Sequence, residues 1–138
     1  MATSAAAMGP DEIAIHGSED IVVVRQAVRR RSVELGFSLV DQTKLVTAAS
    51  ELARNTLQYG GGGRVRIDTL TQAPRIGLRL TFEDEGPGIP DVDAALRDGF
   101  TTGDGLGLGL GGARRLSNDF SIHSQPGVGT RITIVRWK

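Results

Sequence analysis

The order of apolar patterns along this chain predicts an α+β two-layer sandwich, in which helices cover a mostly antiparallel β-sheet. Two long segments with apolar residues at helical spacing come early, around 18–35 and 38–59. Strand-like alternation comes mostly later, around 65–84 and 120–136. A Gln125-Pro126-Gly127-Val128-Gly129 turn joins the last two strands as a hairpin.

Glu12 to His16 read as a short first strand. Ser18 then has the chemistry of an N-cap, and Glu19 and Asp20 favour the positive end of the helix dipole. Ile21, Val24, Val28 and Leu35 fall on one face of that helix, and Gly36 provides its C-terminal stop. Ser38 followed by Asp41 resembles a capping box for a longer second helix. Its buried stripe is expected to be Leu45, Ala49, Leu52, Thr56 and Tyr59, ending at Gly60 to Gly63. Val65 to Leu70 and Ile76 to Asp84 read as strands. The second alternates cleanly, with Ile76, Leu78, Leu80 and Phe82 on one side. A glycine-rich loop over 85–108 follows, with one helical turn around Val92 to Arg97, and then a short helix from about Leu110 to Leu116. Phe120 to Ser124 and Thr130 to Arg136 close the chain.

Composition narrows the function classes. The chain has 138 residues, enough for one domain with a real core. Its 39% hydrophobic and 23% charged residues are ordinary for a water-soluble globular chain. Sixteen basic residues balance sixteen acidic ones, and aromatics are only 4%, which argues against a nucleic-acid surface. With no cysteine there is no disulfide, thiolate metal site or thiol nucleophile, a usage that suits a cytoplasmic protein. Apolar runs such as Ile21 to Val24 are too short to span a bilayer. Met1 to Pro10 lacks the pattern of a signal peptide and is expected to be a disordered tail, leaving residues 11–138 as the domain.

The glycines carry the functional signal. Six of the ten residues from Gly103 to Gly112 are glycine, and Asp84-Glu85-Gly86-Pro87-Gly88-Ile89 precedes them. Each glycine forfeits side-chain burial and adds unfolded-state entropy, so two such loops point to backbone that must approach a ligand, a nucleotide above all. Asp84 shares the parity of Phe82, so its carboxylate continues a buried face and needs a partner: a ligand, or its own loop as a turn brace. Gly86 and Gly88 favour the ligand, because they would let a flat ring reach the backbone. Thr130 aligns with Ile132 and Ile134, so its hydroxyl faces the same interlayer space. Glu51 and Asn55 lie one turn apart on the second helix. They form either a solvated surface or a pocket wall in which one accepts a proton and the other holds a hard cation. The Gly105-Leu106-Gly107-Leu108-Gly109-Leu110 run is neither a Walker A loop nor a dinucleotide fingerprint. It could offer N–H groups to phosphates before a short helix, or serve simple close packing. His16 and His123 have no ligand-like spacing.

In order and spacing, Glu51-Leu52-Ala53-Arg54-Asn55, Asp84-Glu85-Gly86-Pro87-Gly88, Gly105 to Gly109 and Gly127-Val128-Gly129-Thr130 resemble the N, G1, G2 and final G boxes of the GHKL ATPase/kinase superfamily, the Bergerat fold. Within it, Asp41-Gln42, Glu51 to Asn55, Gly86-Pro87-Gly88-Ile89-Pro90-Asp91 and Asp98-Gly99-Phe100-Thr101-Thr102 are similar to the RsbT-type switch serine/threonine kinases of bacterial stressosomes. Gln58-Tyr59 stands where related anti-sigma-factor kinases often carry a histidine, which favours the switch-kinase branch.

The resemblance implies a protein kinase using ATP and Mg²⁺, with Glu51 as general base and Asn55 as the magnesium ligand. It implies that Asp84 bonds the adenine amino group, that Gly86 and Gly88 admit the base, and that Thr130 supports it. Gly105, Gly107 and Gly109 would wrap the phosphates under a lid from about Asp91 to Asp104. The implied substrate is a STAS-domain antagonist, with STAS scaffold proteins and a PP2C-type serine phosphatase as further partners. The rival readings are an anti-sigma-factor kinase of the same fold and a non-catalytic nucleotide-dependent binding module.

Overall fold

A computed structural model of the chain describes residues 11–97 and 109–138. The elements run β1 (Asp11–Ile15), α1 (Ser18–Glu34), α2 (Leu39–Gln58), β2 (Gly63–Gln72), β3 (Arg75–Asp84), α3 (Val92–Ala95), α4 (Gly109–Arg115), β4 (Asp119–Gln125) and β5 (Gly129–Trp137). The expected tail, residues 1–10, lies outside the described residues, as do Gly105 and Gly107.

The five strands form one sheet in the order β1-β2-β3-β5-β4, with every neighbouring pair antiparallel. Directly opposed residues share a face, so the register can be read as rows across the sheet. Ile13, Val65, Phe82, Ile132 and Ile122 make one row, and Ile67, Leu80, Ile134 and Phe120 continue it one pleat away. The helices cover this face: Val24, Ala27 and Val28 of α1 and Leu45, Ala49, Leu52 and Ala53 of α2 are buried against it. Leu110 and Ala113 of α4 join the same core. The expected two-layer α+β architecture is present.

The helix ends depart from expectation in two respects. Gly17, not Ser18, is the N-cap of α1. The Asp20 carboxylate accepts from the His16 and Gly17 amides at 2.8 and 3.1 Å, replacing the hydroxyl cap. At the other end Gly36 has φ +83° and closes a Schellman motif, with Phe37 N–H bonded to Ser32 O. Ser38 caps α2 by accepting from Asp41 N–H at 3.1 Å. The Asp41 carboxylate does not turn back to complete the box. It accepts from Arg136 on β5 at 2.9 Å, and that guanidinium holds its carboxyl below the usual range. A buried Arg31 interrupts the apolar stripe of α1, bonded to Asp11 at 2.9 Å and to Thr69 at 2.8 Å.

The opposite sheet face is largely charged, with Arg64 paired to Glu83 and both Arg66 and Arg79 on Asp68. Trp137 covers Gly77 there, and Arg75 stacks 4.1 Å above its ring.

Candidate active site

At one end of the core face the row changes character. Beyond Ile13–Val65–Phe82–Ile132–Ile122 comes Ile15–Gly63–Asp84–Thr130–Ser124. Four apolar positions give way to a glycine, a carboxylate and two hydroxyls, on the same face and one pleat further along. Asp84 and Thr130 are thus direct cross-strand partners.

Small residues pack this row from both sides. A Cβ on Gly60 would lie 2.3 Å from Asp84 Cγ, and one on Gly86 would lie 2.7 Å from Gly60 Cα. A Cβ on Gly129 would meet the Asp84 carbonyl oxygen, so this glycine also admits the β3 backbone. Asp84 Oδ1 accepts from Gly86 N–H at 2.9 Å, the turn brace that the sequence allowed. Oδ2 has no protein donor among the described residues, so the same carboxylate keeps an acceptor for a ligand. Thr130 is buried, and its hydroxyl is 2.9 Å from Ser124 Oγ. Ser124 Oγ in turn accepts from Ile89 N–H at 2.7 Å. Gly127 N–H bonds Pro87 O at 2.9 Å, so the β4–β5 hairpin holds the loop after β3 at two points. Gly88 has φ +82° and lies against Gln125, an approach that a side chain would block.

Beyond that loop lies a cavity of about 400 Å³, within the range of small-molecule sites. Glu51, Arg54, Asn55, Gln58 and Tyr59 of α2 form one wall; Gly88 to Asp91 form the other, and Ala94, Ala95, Gly109 and Leu110 complete it. The helical spacing of Glu51 and Asn55 therefore does place both on a pocket wall. Glu51 is 8% exposed, which a solvated surface position would not be. Its Oε2 accepts from Arg54 Nη1 at 2.8 Å. Tyr59, expected in the buried stripe, is 44% exposed at the end of α2 and lines the cavity instead. Tyr59 is the C-cap that follows the last turn of the helix.

The structure thus brings Glu51, Asn55, Gly88 and Gly109 to one cavity. Asp84, Gly86 and Thr130 do not line it; they form the small-residue row behind the Gly88 loop. Of the expected lid, Asp91 caps α3 by accepting from Ala94 N–H at 3.0 Å, while residues 98–104 are outside the described set. Ser124 belongs to the small-residue row and Gly60 packs on it, and the motifs singled out neither. The alternation Phe120, Ile122, Ser124 carries a signal for the first, whereas no local pattern shows that Gly60 packs on Asp84.

A glycine-lined carboxylate on an antiparallel sheet, facing a helix that carries Glu and Asn one turn apart, is an arrangement with known relatives. Residues 40–138 match the histidine kinase-, DNA gyrase B- and HSP90-like ATPase family. The chain belongs to this family. The RsbT-type resemblance extends over most of it: identity to serine/threonine-protein kinase RsbT of Bacillus subtilis (strain 168) is 47% over 118 residues, spanning 86% of this chain and 89% of the relative. The anti-sigma F factor of Bacillus licheniformis is 32% identical over 126 residues, spanning 86% and 85% of the two chains. Among solved structures, the RsbU and RsbW domains of Rv1364c from Mycobacterium tuberculosis superpose with a TM-score of 0.64 at 20% identity. This chain covers 33% of that one and 94% of itself, a likeness of fold. As a family member the chain is an ATP-binding protein. No helix among the described residues is long and apolar enough to cross a membrane.

Proposed function

We propose that this chain is a serine/threonine protein kinase that moves the γ-phosphoryl group of Mg²⁺–ATP to a STAS-domain antagonist protein and so switches partners in a bacterial stress or sigma-factor pathway. The observation that carries the reading is the buried Glu51 beside Asn55 on the wall of a nucleotide-sized cavity. The similarity to serine/threonine-protein kinase RsbT supports it. Residues 11–138 act as the kinase domain, in the cytoplasm; STAS scaffold proteins hold it, and a PP2C-type phosphatase is the partner it meets when released.

In this reading adenine lies against the Asp84–Thr130 row, with Asp84 Oδ2 accepting from its amino group; Gly86 and Gly88 let the loop after β3 pack closely behind the ring, and Gly88 reaches the cavity wall. Gly109, with Gly105 and Gly107, supplies N–H donors to the phosphates. The donor set on α2 fits magnesium, an ion that keeps phosphate and water oxygens and needs only one or two protein groups, here the Asn55 amide oxygen. When bound, magnesium neutralises charge on the phosphates. The incoming serine Oγ attacks Pγ as the Oγ–P bond forms, and the bond from Pγ to the β,γ-bridging oxygen breaks, its electron pair leaving with ADP. The hydroxyl proton goes to the Glu51 carboxylate. Phosphate adds about two negative charges to a packed STAS surface, enough to break an interface there.

Transfer of label from γ-labelled ATP to a recombinant STAS-domain protein tests the reaction, with Glu51→Gln beside the parent. Loss of a base of this kind slows transfer ~10²–10⁴-fold, and nucleotide affinity should hold. Asp84→Asn should do the converse and weaken adenine nucleotide binding. Nucleotide binding with no transfer to any STAS protein would make the chain a binding module instead. Co-purification with a sigma factor would place it with the anti-sigma-factor kinases.

A further inference from the structure

Glu51 does not face the cavity alone. Arg54 comes from the same helix one turn on, and its Nη1 donates to Glu51 Oε2 at 2.8 Å. Their side-chain atoms differ sharply in exposure, 7% for Glu51 against 32% for Arg54. Both line the cavity, together with Asn55. A carboxylate this buried needs a donor or counter-charge. Arg54 is the only charged donor the structure brings to Glu51 among the described residues.

The geometry also divides the carboxylate. Oε2 is taken by the guanidinium; Oε1 has no protein donor among the described residues. A free glutamate turns about its last torsion between two equivalent orientations, and a side chain with three rotatable bonds does not place an oxygen by itself. Pinning Oε2 selects one orientation and presents Oε1 as the remaining acceptor. A guanidinium suits this task because its donors lie in a rigid planar fork.

We infer that Arg54 is a positioning residue for phosphoryl transfer, holding Glu51 through Oε2 so that Oε1 meets the hydroxyl of the incoming protein side chain. The inference rests on the proposed role of Glu51 as base. It makes Arg54 act through Glu51, with no claim on nucleotide affinity. Arg54 is partly exposed but Glu51 is buried, so the guanidinium compensates the carboxylate as well as orienting it.

Four proteins test it: the parent, Glu51→Gln, Arg54→Gln and the double variant, each assayed for label transfer to a recombinant STAS-domain protein and for ATP affinity by calorimetry. A misplaced catalytic group costs on the order of 10²-fold in rate, so Arg54→Gln should lower kcat by about that factor and leave ATP affinity near the parent's. In the Glu51→Gln background the same change should cost nothing further, because the group it positions is gone. Arg54→Lys, which keeps charge but loses the fork, should fall between parent and Arg54→Gln. Preserved ATP affinity doubles as proof that each variant folds. Losses that multiply in the double variant would overturn the inference, as would an Arg54→Gln protein that turns over normally, or one whose defect is in ATP affinity. A slow Glu51→Gln beside a normal Arg54→Gln would remove Arg54 alone. A normal Glu51→Gln would remove the base and its positioning residue together.

Discussion

Adding one methyl group at Gly60 should weaken nucleotide binding without unfolding the protein. The new Cβ would lie 2.3 Å from Asp84 Cγ and 2.5 Å from both Asp84 Cβ and Oδ2. Ordinary contact begins near 3.4 Å, so the Asp84 side chain must retreat by about 1 Å. Rotating it cannot suffice, because its own Cβ is among the atoms met. That Cβ is placed by the β3 backbone, which is paired to Gly63 on one side and Thr130 on the other. Gly60 has no room to yield either: Gly86 packs on its backbone, and its amide bonds Thr56 O at 3.1 Å. Overpacking of this kind costs about 1–3 kcal/mol of stability, which a domain holding about 5–15 kcal/mol survives. Misaligning the acceptor proposed for the adenine amino group should cost a further ~1–3 kcal/mol of binding, or about 5- to 150-fold in Kd. Gly61→Ala is the matched control. It has open space but φ +73°, so it should lose about 1–2 kcal/mol of stability and keep its affinity. Calorimetric titration with ADP, beside urea unfolding of each variant, reads both quantities. Equal nucleotide affinity for Gly60→Ala and Gly61→Ala would refute the placement of adenine at Asp84.

Two further outcomes follow from single side chains. Ser124→Ala removes the acceptor for Ile89 N–H and the neighbour of the Thr130 hydroxyl; leaving these partly buried groups unpaired should cost about 1–3 kcal/mol in urea unfolding, and amide exchange at Ile89 should quicken. Arg136→Gln removes the guanidinium that keeps the Asp41 carboxyl below its usual range. A carboxyl lowered in the folded state stabilises above its unfolded value and loses that contribution as pH falls through the folded one. The variant should therefore be less stable than the parent at neutral pH, by about 1 kcal/mol or less for a partly exposed pair. That difference should shrink as the solution is acidified below the carboxylate range, and a gap independent of pH would contradict it.

Much of this molecule was written in short-range order. Val24 and Val28, Leu45, Ala49 and Leu52, and Leu78, Leu80 and Phe82 declare their faces by period, because a helix or strand turns every side chain by a fixed angle. The same parity rule put Asp84 beyond Phe82 and Thr130 beside Ile132, and the rows across the sheet carry both on that face. Glu51 and Asn55 needed only the turn of a helix to become neighbours, and both line the cavity. The glycines of the loop after β3 were readable as a request for space, though not as to which atoms would fill it.

What local order does not contain is the partner. Arg31 breaks the apolar stripe of α1, and Thr69, 38 residues away, and Asp11 help make its burial tolerable. Asp41 reads as half of a capping box until Arg136, 95 residues on, claims its carboxylate. Gly60 reads as the end of a helix, while the folded chain makes it the surface on which Asp84 rests. Ser124 joins Thr130 and Ile89 only once β4 pairs with β5 and the hairpin meets the loop after β3. The sequence by itself determined the elements, their buried faces and the residue types of a nucleotide site, since these follow from dihedral geometry and side-chain chemistry within a few residues. Tertiary structure alone decided which of those groups meet, because strand pairing and layer packing bring together residues whose separation along the chain leaves no periodic trace.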